Sequence, residues 1–154
     1  MDKQTFFKEL EQQAGGLLAG ETDRVANAAN LTAVLFEVLA DVNWVGVYYL
    51  KDGELVVGPF QGRPACVRIP IGKGVCGTAA ERRESVRVAD VHEFEGHIAC
   101  DPVSRSELVV PLLDGDTLIG VLDLDSPLPD RFDEVDQGGL ERIAAVYVRS
   151  VAGG

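Results

Sequence analysis

The run EGHIACDPVSRSE, residues 95–107, sets the Cys100 thiol beside His97 and Asp101 and seven residues before Glu107. A thiol does chemistry as the thiolate, and thiolate character depends on its neighbours. The run is rich in polar and turn-forming residues and reads as a loop. Two further thiols, Cys66 in RPACVRIP and Cys76 in IGKGVCGTA, lie in segments punctuated by glycine and proline. Three loop cysteines near acids and a histidine suggest redox chemistry rather than packing.

Acidic residues form the second group. In the strand-like run TLIGVLDLD, alternation puts Val121, Asp123 and Asp125 on one face and Leu122 and Leu124 on the other. The two aspartates are either solvated or line a pocket at the strand's end. In a pocket, paired carboxylates suit an ammonium group, and close approach lets one hold a proton against the other's charge. Glu107 opens the neighbouring strand, so three carboxylates can converge near the Cys100 loop. Trp44 and Tyr48, four residues apart on one strand, share a face and can pack in the core, wall an apolar pocket or meet a thioether sulfur.

Gly72, Gly74 and Gly77 flank Cys76 at a strand-to-helix turn whose free N–H groups could face an anion; the run does not match the Walker pattern. His92 and His97 raise the question of a metal. Structural zinc sites use closely spaced ligand pairs. Here Cys66 and Cys76 are ten residues apart and Cys76 and Cys100 twenty-four, so no metal site is expected. His97 could instead lower the Cys100 pKa or donate to a loop carbonyl.

The elements that must position these groups follow from periodicity. Residues 2 to about 14 read as an amphipathic helix weakened at Gly15-Gly16 and closed by Gly20. Thr22 or Asp23 can cap a second helix running to residue 40, with Ala28, Leu31, Leu35, Val38 and Leu39 at helical spacing. WVGVYYL and ELVVGPF form a hairpin about Lys51-Asp52-Gly53, followed by the strand CVRIP, a short helix that begins at the glycines of IGKGVCGTAAERR, and the strand VRVAD. ELVVPLL and TLIGVLDLD form a hairpin about Asp114-Gly115-Asp116. Asp133 can cap a last helix bearing Leu140, Ile143, Ala144, Tyr147 and Val151 on one face. Mostly hairpin-linked strands argue for an α+β fold, an antiparallel sheet with helices packed on one face.

Composition bounds the function. With 154 residues the chain is expected to be a single domain with a full core. Its net charge of −11 and pI near 4.5 argue against nucleic acid and anionic membrane surfaces. The charged start, MDKQTFFKELEQQ, lacks the features of a secretory signal, and no apolar run reaches the roughly 20 residues of a bilayer span. A cytoplasmic location follows as an expectation. There a disulfide is more often catalytic or sensing than structural, and three cysteines cannot all pair within one chain.

The ordered segments NWVGVYYL, GPFQGRPACVRIPIGKGVCGTAA, DVHEFEGHIACDPVSRSELVVPL and IGVLDLDSP resemble those of the free methionine-(R)-sulfoxide reductases. That family is built on a GAF domain, and the resemblance covers residues 25 to 150 with all three thiols inside matching motifs. It implies a GAF-like antiparallel β-sheet flanked by helices. Residues 1–20 would form an N-terminal helix and 22–154 the GAF core, in a homodimer. It further implies free L-methionine-(R)-sulfoxide as substrate. Cys100 corresponds to the catalytic thiol, and Cys66 and Cys76 to the other two, one or both of which resolve the intermediate. Glu107, Asp123 and Asp125 correspond to the acids around the substrate, and Trp44 and Tyr48 to pocket aromatics. Any of the three acids could be the proton donor. No flavin, nicotinamide or metal is implied, and the reductant would be an external dithiol such as thioredoxin. The rival reading is a GAF sensor that binds a small molecule, or responds to redox state, without turnover.

Overall fold

In the computed structural model, residues 1–97 and 102–152 are described; Cys100 and Asp101 lie outside the described residues. Helix α1 (Lys3–Leu18) starts at Asp2, whose carboxylate accepts from Thr5 N at 2.8 Å. The sequence placed its end near residue 14, yet the helix runs through Gly15-Gly16 and buries Ala14 and Leu18. Two helical glycines cost about 1 kcal/mol each against alanine. Burying Leu18 returns about 1.5–3 kcal/mol, enough to hold the last turn. Helix α2 (Arg24–Val38) is capped by Asp23, and α4 (Glu134–Val151) by Asp133 in a capping box with Asp136.

Among the described residues six strands form one antiparallel sheet in the order β3-β2-β1-β6-β5-β4. They are β1 (Trp44–Lys51), β2 (Glu54–Gln61), β3 (Arg68–Pro70), β4 (Val86–Val88), β5 (Ser106–Asp114) and β6 (Thr117–Ser126). Both expected hairpins are present. At the first, Asp52 and Gly53 take φ of 51° and 83°, the pair of left-handed residues that a tight turn between twisted strands needs. The central pairing joins β1 to β6, far apart in sequence, with Trp44 opposite Asp125 and Gly46 opposite Asp123.

The sheet is covered on both faces, which corrects the expectation of helices on one face only. Helices α2 and α4 lie against one face, in a single core with Leu108, Leu122 and Leu124, and α1 packs onto α4 and α2 in the same core. Helix α3 (Gly74–Arg82) packs on the opposite face against β3, β5 and β6 and closes a second core containing Trp44, Tyr48, Cys76 and Val121. No helix among the described residues is long and apolar enough to cross a membrane.

Candidate active site

The alternation along β6 decides where its acids go. Leu122 and Leu124 fill the core beneath α1, α2 and α4, so Asp123 and Asp125 must face α3. They are not solvated: Asp123 is 5% exposed, Asp125 9% and Glu107, from β5, 7%. Glu107 is the direct cross-strand partner of Asp125, and Val109, two residues further along β5, faces Asp123. The three carboxyl groups line one pocket together with Trp44, Tyr48 and Cys76.

Such a cluster cannot be fully ionised. Burial, then the charges of Asp123 and Asp125, push the Glu107 carboxyl well above its ordinary value. Burial also raises Asp123, but hydrogen bonding from Glu107 and Cys76 works against that rise. The surroundings therefore favour the proton on Glu107 over Asp123. Asp123 Oδ1 is buried without a hydrogen-bond partner among the described residues. A buried acceptor left this way is costly, and it suits a donor arriving with a ligand.

Cys76 is not a loop residue. It is the third residue of α3, 3% exposed, with its sulfur 4.0 Å from Glu107 Oε2. Burial first, and then the neighbouring acids, raise its pKa well above that of a free thiol, so it is held as S–H. Cys66 differs: it is partly buried and disulfide-bonded, whereas Cys76 is a free thiol. The Cys66 carbonyl accepts from Tyr48 Oη at 3.1 Å, tying this segment to the pocket wall.

Trp44 forms the apolar wall. Its indole stacks on Phe60 with centroids 5.3 Å apart, lies 5.9 Å from Tyr48, and donates from Nε1 to the Arg63 carbonyl at 3.0 Å. Two glycines make room for it. A Cβ on Gly46 would lie 2.2 Å from the indole Cη2, and one on Gly62 (φ 124°) 2.7 Å from Cδ1. Phe60, the Arg63 carbonyl and Ser104 were not picked out from sequence. Gly46 inside a strand was the available signal, since a strand glycine often marks a close approach. Gly46→Ala should push the indole out of place. A shift of 1–3 kcal/mol in an apolar contact changes pocket affinity about 10–200-fold. Trp44 is the sole tryptophan, so its emission reports the displacement directly; unchanged emission and affinity would contradict this role.

His97 and Ser104, which flank the undescribed residues 98–101, both line the pocket. Burial lowers the His97 pKa, and His92, with its ring 6.4 Å away, lowers it further. Although the sequence spacing offers no ligand pair, folding brings ligand atoms of Cys76, Glu107 and Asp123 within 4.8 Å of one another.

A curled antiparallel sheet between α3 and three longer helices, with a pocket under α3, is a GAF architecture, and the GAF domain family matches residues 23–149. The chain is 51% identical to the free methionine-R-sulfoxide reductase of Escherichia coli (strain K12) over 152 residues, covering 99% of this chain and 92% of that protein. The crystal structure of free methionine-R-sulfoxide reductase from Neisseria meningitidis in complex with its substrate superposes with a TM-score of 0.94 at 44% identity, covering 98% of this chain and 91% of that one. A putative GAF sensor protein from Burkholderia vietnamiensis superposes equally well, with a TM-score of 0.94 at 51% identity and coverage of 98% and 99%. The chain belongs to the free methionine-(R)-sulfoxide reductase family of GAF domain proteins.

Proposed function

We propose that this protein reduces free L-methionine-(R)-sulfoxide to L-methionine, with Cys100 as the nucleophile. The observation that carries the reading is the convergence of Glu107, Asp123 and Asp125 with Trp44 and Tyr48 in one pocket edged by both flanks of the Cys100 segment. Each group has a task set by the substrate's chemistry. Asp123 and Asp125 hold the α-ammonium, with the buried Asp123 Oδ1 as a ready acceptor. Helix α3 has no side-chain cap at Lys73, so the N–H groups of Gly74, Val75 and Cys76 and the positive end of the helix are available to the α-carboxylate. Trp44 covers the apolar methyl end. A free amino acid satisfies both charged subsites at once; a methionine within a peptide presents neither group.

The Cys100 thiolate attacks the sulfoxide sulfur while Glu107, whose proton burial and the neighbouring aspartates hold more tightly than an ordinary glutamate does, gives that proton to the departing oxygen. General acid help of this kind contributes typically about 10²–10⁴-fold. The hydroxyl passes to the cysteine sulfur as methionine leaves, so Cys100 becomes a sulfenic acid and the substrate sulfur gains two electrons. A second thiol then condenses with the Cys100 sulfenic acid: its sulfur bonds to the Cys100 sulfur, and its proton leaves with the displaced hydroxyl as water. Cys66 fits that step because it is disulfide-bonded in this structure, whereas the Cys76 thiol is buried and held protonated. An external dithiol of the thioredoxin class reduces the disulfide by exchange. The protein would act in the cytoplasm as a homodimer without a prosthetic group.

The test is thioredoxin-coupled turnover of the separated R and S epimers of the free amino acid. Turnover of the R epimer alone supports the reading. Tight retention of either epimer with unchanged thiols would make the protein a sensor instead.

A further inference from the structure

The reaction just described leaves the Cys76 thiol without a task, yet this sulfur sits buried against two acids. A side chain whose sole duty is packing need not be a cysteine placed against two carboxyl groups, with its sulfur 4.0 Å from Glu107 Oε2. The ligand atoms of Cys76, Glu107 and Asp123 lie within 4.8 Å of one another. They come from three elements, α3, β5 and β6, which pack on one another and hold the donors in place. Among the described residues no lysine or arginine forms an ion pair with Glu107 or Asp123. Asp123 is 95% buried, and its Oδ1 has no hydrogen-bond partner among the described residues while lining the same pocket.

One thiolate and two carboxylates form a mixed soft and hard donor set. Zinc and its heavier congener cadmium accept sulfur and oxygen together, whereas magnesium and calcium take oxygen alone. Three protein ligands with a fourth position open to a pocket is the arrangement of a zinc site that exchanges its last ligand. We propose that Cys76, Glu107 and Asp123 bind one thiophilic divalent cation of the zinc class, and that this cation and the substrate's ammonium group exclude each other. Binding displaces the protons of Cys76 and Glu107 and sets two positive charges against the three negative ones this leaves. The consequence is reversible inhibition by free zinc, relieved by chelation. The site itself stands on geometry alone; its competition with substrate rests on the reading of the pocket as the amino acid site.

The experiment titrates full-length, chelator-washed protein with cadmium chloride and follows the ultraviolet thiolate-to-cadmium absorption, with zinc chloride as competitor. One equivalent should bind and develop the band. Cys76→Ser should abolish it, and Asp123→Asn should keep the band but weaken binding tenfold or more, with both variants giving the wild-type circular dichroism spectrum. Methionine sulfoxide should raise the apparent Kd for cadmium in proportion to its concentration. A band that survives in Cys76→Ser, or affinity indifferent to Asp123→Asn, would overturn the site. A normal site that methionine sulfoxide does not disturb would overturn the exclusion. Turnover by the chelator-washed protein is scored separately, so the enzymatic reading can fail while the metal site holds, and the reverse.

Discussion

Glu107→Gln should make the protein more stable and a far poorer catalyst at the same time. The two effects share one cause. Burial and two neighbouring aspartates raise the Glu107 carboxyl above the ordinary glutamate value of 4.5. Between that value and the raised folded one, the native chain keeps a proton that the unfolded chain has lost. Stability therefore falls as pH rises through this window, and above it the full penalty remains. Glutamine does not titrate and keeps the shape and hydrogen-bonding capacity of the acid, so the penalty disappears. Each kcal/mol recovered raises Tm by about 2–4 °C in a chain of this length. The gain should be present at pH 8 and absent at pH 4. Catalysis moves the other way, because an amide cannot donate a proton to the departing oxygen: single-turnover methionine release should slow about 10²–10⁴-fold. Thermal melts across pH, paired with rapid-quench rates, measure both. Lower stability with an unimpaired rate would show a structural residue and no more.

The three cysteines should separate into three behaviours. Cys100→Ser should lose methionine release altogether, since a hydroxyl at neutral pH is far less nucleophilic than a thiolate. Cys66→Ser should release one methionine per protein at the wild-type rate and then stop, because the sulfenic acid has no partner. Cys76→Ser should continue through many turnovers, slowed by no more than about tenfold, the effect of 1.4 kcal/mol on a barrier. Its thiol is buried beside acids that raise its pKa, so on the proposed mechanism it should not compete as a resolving nucleophile. Multiple-turnover assays with a dithiol reductant, compared with single-turnover bursts, distinguish these patterns. Stalling in Cys76→Ser with continued recycling in Cys66→Ser would exchange their roles.

Much of this was legible from periodicity. The two hairpins, the caps at Asp23 and Asp133, and the faces of TLIGVLDLD follow from local pattern and turn chemistry, because each depends on residues a few positions apart. The paired aspartates at period two pointed to a shared face. Their burial was not legible, since it depends on α3 covering a face that the sequence left open. The same holds for the burial of Cys76: the glycines around it suggested a turn into a short helix, but not that α3 packs on β3, β5 and β6. The pairing of β1 with β6, which sets Trp44 opposite Asp125, joins distant segments and leaves no local signature. Helix α1 outran its glycines because tertiary burial of Leu18 outweighs local propensity.

The central claim concerns one sulfur, and it is tested by following where the oxygen goes. Reduced Cys66→Ser protein is mixed with one equivalent of free methionine-(R)-sulfoxide in the presence of a sulfenic-acid trap, then digested and mass-analysed alongside a methionine assay. The account predicts one methionine per protein and the trap's adduct on the peptide containing Cys100. Methionine formed while that peptide stays unmodified, or an adduct on the Cys76 peptide instead, would contradict it.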